Sequence, residues 1–249
     1  MFSESSPEVE VLLPVHNEAE SIAATIKEIY EELKTIVPVG FILCEDGSRD
    51  NTKAVLKAVA TEVPARLFLS DDRKGYSLAV RDGMMQQEAP YLLCLDSDGQ
   101  CEPKDFQKFW DARDSADIVI GWRVDRADTW MRKLMSRSFY WVWRLLYRCP
   151  IHDPSCPFML ARKEVIQQLW PQMGAMKQGF WWEFTARAKR HGFSIRELPV
   201  HHRDRAAGVT QVYRLKKLPG IGYRHVVALF TIFLETRRTR MTNATSIVG

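Results

Sequence analysis

The chain has 249 residues, 46% hydrophobic and 27% charged, which suits one large core or at most two domains and excludes a wholly disordered or fibrous protein. The net charge of +4 hides an uneven distribution: residues 1–120 carry 12 Lys and Arg against 23 Asp and Glu, whereas residues 121–249 carry 23 against 8. The two halves therefore face different partners, and the basic half is either a solvated surface or a seat for nucleic acid, anionic lipid or a phosphorylated substrate.

In chain order, MFSESSPE (1–8) is polar, without a basic start or an apolar stretch; it is expected to be disordered and not a signal peptide, which points to the cytosol. VEVLLPVHN (9–17) is an extended apolar run, and the following segment places Ile22, Ile26, Ile29 and Leu33 on one helical face. VGFILCEDGS is a second strand ending in acid, NTKAVLKAVATE a helix, ARLFLS a strand, GYSLAVRDGMMQQ a helix and PYLLCLDSDG a strand. PKDFQKFWDARD, with Pro103 suited to a first turn, is a helix and ADIVIGW a strand. Such alternation predicts a mostly parallel sheet covered on both faces, with ligands outside the carboxyl ends of the strands.

Three polar clusters fall at those ends: His16-Asn17-Glu18, Glu45-Asp46-Gly47-Ser48 and Asp96-Ser97-Asp98. Each alone reads equally well as a cap or a turn, but three share one rim. Asp96 and Asp98, two apart in an extended segment, project to the same side. Two such charges are unfavourable without a cation, and hard oxygen donors suit Mg²⁺ or Mn²⁺, with Gln100 adding a carbonyl oxygen. Gly99 is wrongly placed for an EF-hand, RKGYSLAV is not a P-loop, and no Rossmann glycine pattern follows the first strand. The five cysteines form no C-x-x-C pair, and Cys149, His152 and Cys156 lack a fourth zinc ligand.

The ordered set LPVHNEAESI, CEDGSRDNT, RKGYSLAVRDG, LDSDGQCEP, GWR, RKLMSR and DPSCPFMLARKEV, spanning about residues 9–215, resembles the family 2 inverting glycosyltransferases of the GT-A fold, and within them the dolichyl- or polyprenyl-phosphate glycosyltransferases. The resemblance implies an α/β GT-A catalytic domain over 9–212, followed by an amphipathic C-terminal helical segment and polar tail over 213–249. It implies that Pro14, His16, Asn17, Glu18, Glu45, Asp46, Lys74, Asp96 and Ser97 bind a nucleotide-sugar donor, UDP-linked in preference to GDP-linked. Asp96, Asp98 and Gln100 correspond to the metal ligands. Arg123, Arg132, Ser136, Arg137 and Arg205 are placed at the acceptor phosphate, Arg205 with Gly208 in a late R-x-x-G loop. Asp98, Arg123, Arg132 and Asp153 are the expected catalytic set; Asp153 or Glu183 would be a base for an alcohol acceptor, or structural. His16 stands where the family usually has Tyr, and Glu45 where it has Asp, which leaves the base identity open.

Residue chemistry agrees independently: an anionic phosphate acceptor needs cations to position it and no base. In WMRKLMSRSFYWVWRLLYR (130–148), Lys133, Arg137, Arg144 and Arg148 fall within a stripe of about 60° on a helix. Phe139, Trp143, Tyr147, Leu134, Val142 and Leu146 occupy the rest, so the helix is either buried or lies at a membrane surface with its Arg stripe reaching lipid or polyprenyl phosphate. The nine-residue run VVALFTIFL, within 215–240, is too short to span a bilayer, where about 20 residues are needed. The expectation is a peripheral protein on the cytoplasmic face of a membrane, with a homo-oligomer contact as the competing use of that helix. The alternatives are a saccharide or other hydroxyl acceptor, a non-catalytic nucleotide-sugar-binding module, and a nucleic-acid binder, which no motif supports.

Overall fold

The computed structural model of the protein describes residues 6–124, 130–203 and 218–245, with the side chains of 130–136, 138, 218, 219, 221 and 236–245 outside that description. A seven-stranded sheet in the order β3-β2-β1-β4-β6-β5-β7 forms its centre, from β1 (Val9–Val15), β2 (Val39–Glu45), β3 (Ala65–Leu69), β4 (Tyr91–Cys94), β5 (Ile118–Arg123), β6 (Met159–Arg162) and β7 (Ile195–Val200). All strands run the same way except β6, which is antiparallel to both β4 and β5. The mostly parallel sheet read from the alternation is therefore present, with one reversed strand that the alternation does not announce.

β1 and β2 are buried along their whole length, as expected of strands covered on both faces. Helix α1 (Ile22–Leu33) buries Ile22, Ile26, Ile29 and Leu33, the face its spacing predicts. Helices α2 (Thr52–Val59), α3 (Tyr76–Met85), α4 (Phe106–Ala112) and α6 (Lys163–Leu169) complete the packing around the main core. Pro14 pairs with Cys44 on β2 but lies beyond the last β1–β4 pair, Leu12–Cys94, at a strand end that tolerates proline.

A second, smaller core is built by α5 (Trp130–Tyr147), α7 (Phe180–His191) and α8 (Leu218–Thr245). Trp143, Tyr147, Ala186, Leu229 and Ile232 are buried there, and the Tyr147 hydroxyl donates to the Leu229 carbonyl at 2.7 Å. The α5 face holding Trp143, Tyr147, Phe139 and Val142 thus faces protein and not lipid, which corrects the membrane-facing reading for those side chains: α7 and α8 supply the apolar partners. Trp141 and Leu145 stay outside, 57% and 79% exposed. The expected boundary at 212/213 falls among residues outside the description. Among the described residues no helix is long and apolar enough to cross a membrane.

Gly83 lets α3 lie close against the sheet: a Cβ there would collide with the Leu12 side chain and come within 2.8 Å of the Cys44 sulfur. Gly83→Ala is expected to destabilise the protein by about 1–3 kcal/mol through overpacking. Urea denaturation would show it as a lower midpoint with an unchanged slope.

Candidate active site

The carboxyl ends of the parallel strands share one rim, and because β6 is reversed, the loop entering it reaches the same rim. β4 ends at Cys94, Leu95 still donates to the Leu12 carbonyl, and the chain turns at residues 97–98. The carboxylates are therefore set by a turn and not, as the spacing suggested, by strand alternation. The turn is closed by the Gln100 amide donating to Asp98 Oδ1 at 3.2 Å and by Gly99 at φ 74°, a left-handed conformation that favours glycine. Asp96 and Asp98 are half-buried, Ser97 is buried, and both carboxylates act on the Cys101 thiol, which burial first and then these charges push well up. The Gln100 side-chain amide donates to the Arg203 carbonyl at 3.1 Å, and the Arg203 amide donates back to the Gln100 carbonyl at 2.8 Å. Among the described residues no three His, Cys, Asp or Glu side chains gather into a metal cage. Two carboxylates and an amide oxygen are the donor chemistry that would suit a hard divalent cation.

At the β1 and β2 ends the polar clusters lock to one another. His16 Nδ1 donates to the Asp46 carbonyl at 2.8 Å, which leaves Nε2 to accept from the Asn17 side chain. Asn17, at φ 53°, donates its amide to Ser48 Oγ and accepts from the Arg49 amide, while the Glu18 amide donates to Thr52 Oγ1. Glu45 and Asp46 are buried. Asp46 accepts from the amides of Lys74 (2.6 Å) and Gly75 (2.9 Å); Glu45 accepts from Ser48 N and lies 3.8 Å from Lys53 Nζ. Asp46 thereby holds the end of the 70–75 loop, and the Ser70 amide donates to Glu45 Oε2 at 3.4 Å at its start, a task the sequence does not announce. The Lys74 side chain pairs with Asp82 at 2.5 Å.

Arg123, at the end of β5, is gripped by Asp153 through Nε at 2.7 Å and Nη2 at 3.0 Å, with Ser155 Oγ accepting at 3.0 Å. Burial works against its charge, but Asp153 outweighs it and holds the guanidinium above its ordinary pKa, with Asp96 adding in the same sense. Asp153 is thus committed to positioning Arg123, an arrangement unfavourable for a free base. Glu183 is fully buried and accepts from the amides of Gly174, Ala175 and Met176 and from Arg187, a structural anchor for the loop before α7. Arg137 is exposed on α5; the side chains of Arg132 and Ser136, and Arg205 and Gly208 altogether, lie outside the described residues. Burial pushes Cys44 and Cys156 up to about 12, which removes both as thiolates at neutral pH. Sequence reasoning missed Tyr76, whose hydroxyl donates to Asp96, Trp181, whose indole donates to that hydroxyl, and Arg203, which holds Glu102 and Glu28. The dipeptide "GY" after a basic loop was the visible signal for the first.

A parallel-dominated sheet with one reversed strand and a paired-aspartate turn at its rim is the architecture of the GT-A glycosyltransferase fold. Residues 10–170 match the family described as Glycosyl transferase family 2, and the chain belongs to that family of glycosyltransferase enzymes. It is 26% identical over 252 residues to the polyprenol monophosphomannose synthase of Mycolicibacterium smegmatis, covering 96% of this chain and 90% of that protein. It is 29% identical over 255 residues to glycosyltransferase AglD of Haloferax volcanii, covering 97% of this chain but only 40% of that longer protein. An undecaprenyl-phosphate 4-deoxy-4-formamido-L-arabinose transferase of Yersinia enterocolitica is 26% identical over 92% of this chain and 69% of its own. The fold matches glucosyl-3-phosphoglycerate synthase of Mycobacterium tuberculosis, solved with Mn²⁺, UDP-glucose and phosphoglyceric acid, at a TM-score of 0.69 and 17% identity over 91% of this chain and 80% of that one.

Arg203 ties the segment after β7 to the rim, and its hydrogen bond with Glu102 holds that carboxyl below the ordinary range; Ser194 does the same for Asp117. Because both folded values are depressed, their stabilisation is complete above the unfolded value of about 4 and lost as pH falls through the folded values. Urea midpoints are expected to drop as pH falls below about 4, and Arg203→Ala to cost about 1 kcal/mol at neutral pH while flattening that drop.

Proposed function

We propose that the protein transfers a hexosyl group, with inversion, from a nucleotide diphosphate donor to polyprenyl phosphate at the cytoplasmic face of a membrane, with UDP favoured over GDP. The observation that carries the acceptor side is an exposed apolar stripe on α8: Tyr223, Val227, Phe230 and Leu234 recur at helical spacing and are 73%, 44%, 48% and 56% exposed. Trp141 and Leu145 stand exposed on the packed neighbour α5, beside exposed Arg137, Arg144 and Arg148. An apolar surface edged by arginines suits the headgroup boundary of an anionic bilayer, where a polyprenyl phosphate presents its charge. Two relatives, a polyprenol monophosphomannose synthase and an undecaprenyl-phosphate 4-deoxy-4-formamido-L-arabinose transferase, support the same acceptor class.

On the donor side, Asp96, Asp98 and Gln100 would hold Mg²⁺ or Mn²⁺, and a neighbour's structure with Mn²⁺ and UDP-glucose supports that choice. When bound, the cation supplies Lewis-acid stabilisation of the charge left on the departing diphosphate. The loops carrying Pro14, His16, Asn17, Glu18, Ser97 and the 70–75 segment shape the donor pocket, with Glu45 and Asp46 keeping that segment in register. Arg123, charged and fixed by Asp153, places a positive group beside Asp96, where donor diphosphate and acceptor phosphate must approach. Arg132, Ser136, Arg137 and Arg205 take the acceptor phosphate. A phosphate oxygen, already anionic, attacks the anomeric carbon without a base.

The test is a product assay with Mg²⁺ or Mn²⁺, a panel of UDP- and GDP-sugars, and short-chain polyprenyl phosphate in detergent. A metal-dependent lipid-linked sugar is expected, lost in Asp98→Ala; Arg132→Ala should keep donor affinity and lose use of the phosphate acceptor. Donor hydrolysis or transfer to saccharides without lipid product would overturn the acceptor assignment. Separately, the protein is expected to co-sediment with vesicles containing anionic lipid, and the double substitution Phe230→Glu with Leu234→Glu to abolish this. A dimer that the same substitutions dissociate, with no vesicle binding, would assign the stripe to self-association.

A further inference from the structure

Tyr76 opens α3 directly after Gly75, whose φ of 94° turns the chain into the helix. Although its ring is 39% exposed, its hydroxyl sits between two fixed groups, 2.8 Å from Asp96 Oδ1 and 2.7 Å from Trp181 Nε1. An indole N–H only donates, so the phenol oxygen must accept from Trp181. Its single proton is therefore committed to Asp96. The direction of this relay, Trp181 to Tyr76 to Asp96, follows from donor chemistry alone.

Both upstream members are held. Trp181 is 6% exposed and packed edge-on against Phe180 and Phe184 in the first turns of α7. Ser77, next to Tyr76, donates to the carbonyls of Lys177 (2.8 Å) and Met176 (3.3 Å), so the start of α3 is fastened to the loop that leads into α7. Glu183 holds the same loop through three amides, and the backbone at Gly179 is packed so closely that a Cβ would come within 2.8 Å of Met176. The relay is thus anchored in a rigid junction of α3 and α7, while Asp96 belongs to the turn after β4.

We propose that Tyr76 and Trp181 are positioning residues that fix the orientation of the Asp96 carboxylate, and so set how tightly the site takes a divalent cation with the donor's diphosphate. This rests on the reading of Asp96 as a metal carboxylate. A hydrogen bond to Oδ1 resists rotation of the carboxylate and orients it before the cation arrives, as the outer partners of metal ligands do. Both act through the Asp96 carboxylate.

The test is a titration of Mn²⁺ followed by electron paramagnetic resonance, in the presence of UDP, or of GDP if UDP does not bind, and without turnover. Tyr76→Phe keeps the ring and removes the hydroxyl; it is expected to weaken Mn²⁺ binding about tenfold. Trp181→Phe should weaken it less, and the double variant should match Tyr76→Phe alone, because the indole acts only through the hydroxyl. Thermal unfolding of each variant separates this from a packing defect, which would lower the melting temperature and leave the Mn²⁺ affinity alone. Unchanged affinity in Tyr76→Phe, or independent and additive losses in the double variant, would overturn the proposal. Asp98→Ala distinguishes the two levels: if it binds Mn²⁺ as the parent does, the metal reading itself fails; if it does not bind while Tyr76→Phe binds normally, only the positioning role fails.

Discussion

The double pairing of β4 is the constraint on which the rest of the molecule depends. On one edge it runs parallel to β1 through Val9–Tyr91 to Leu12–Cys94, and on the other antiparallel to β6 through Tyr91–Arg162 to Cys94–Met159. Four residues thereby join the acidic half of the chain to the basic half. The acid-bearing turn follows immediately from that seam, so Asp96 and Asp98 emerge on the rim that the β1 and β2 loops reach from one side and Arg123 from the other. Backbone hydrogen bonds in a buried sheet are obligatory, and here they dictate where the charges stand.

Part of the acidic excess of the first half has an internal use. Glu10 accepts from the amides of Glu88 and Ala89 and pairs with Arg66; Asp46 accepts from Lys74 and Gly75; Glu45 holds Ser48; Asp105 accepts from the His201 amide. A carboxylate accepting main-chain N–H groups replaces water at loops that would otherwise leave buried donors unpaired. At the carboxyl-end rim Glu45 and Asp46 do this for Ser48 and for Lys74 and Gly75. Arg123 shows the complementary case in the basic half: its charge survives burial because Asp153 grips it on two sides.

The first 123 residues were legible because hydrophobic period and turn chemistry agree there, and every strand and helix read from them is present. Beyond that point the patterns weaken. β6, four residues long and reversed, has no alternation to betray its direction, and α7 hides Glu183 and Arg187 inside an apparently amphipathic sequence. α5 misled for a different reason: an apolar face looks the same whether lipid or protein covers it, and only the docking of α7 and α8 decides. The paired aspartates were found by spacing, although the turn that sets them is not the extended segment the spacing implied. Tyr76 escaped because its role depends on an indole more than 100 residues away.

The reversed strand also bears on how the chain reaches this state. β5 is made before β6, yet β5 and β7 join the sheet only through β6. Until residues 159–162 have left the ribosome and arrived, β4 exposes an unpaired apolar edge of Leu92, Leu93 and Cys94, and β5 has no place to dock. Closure of that edge brings together residues about 70 positions apart, the slow kind of pairing that leaves a sticky margin open to other chains. The last three strands therefore add as a block, and the rim carrying Asp96, Asp98 and Arg123 is completed at the same moment that the edge is sealed.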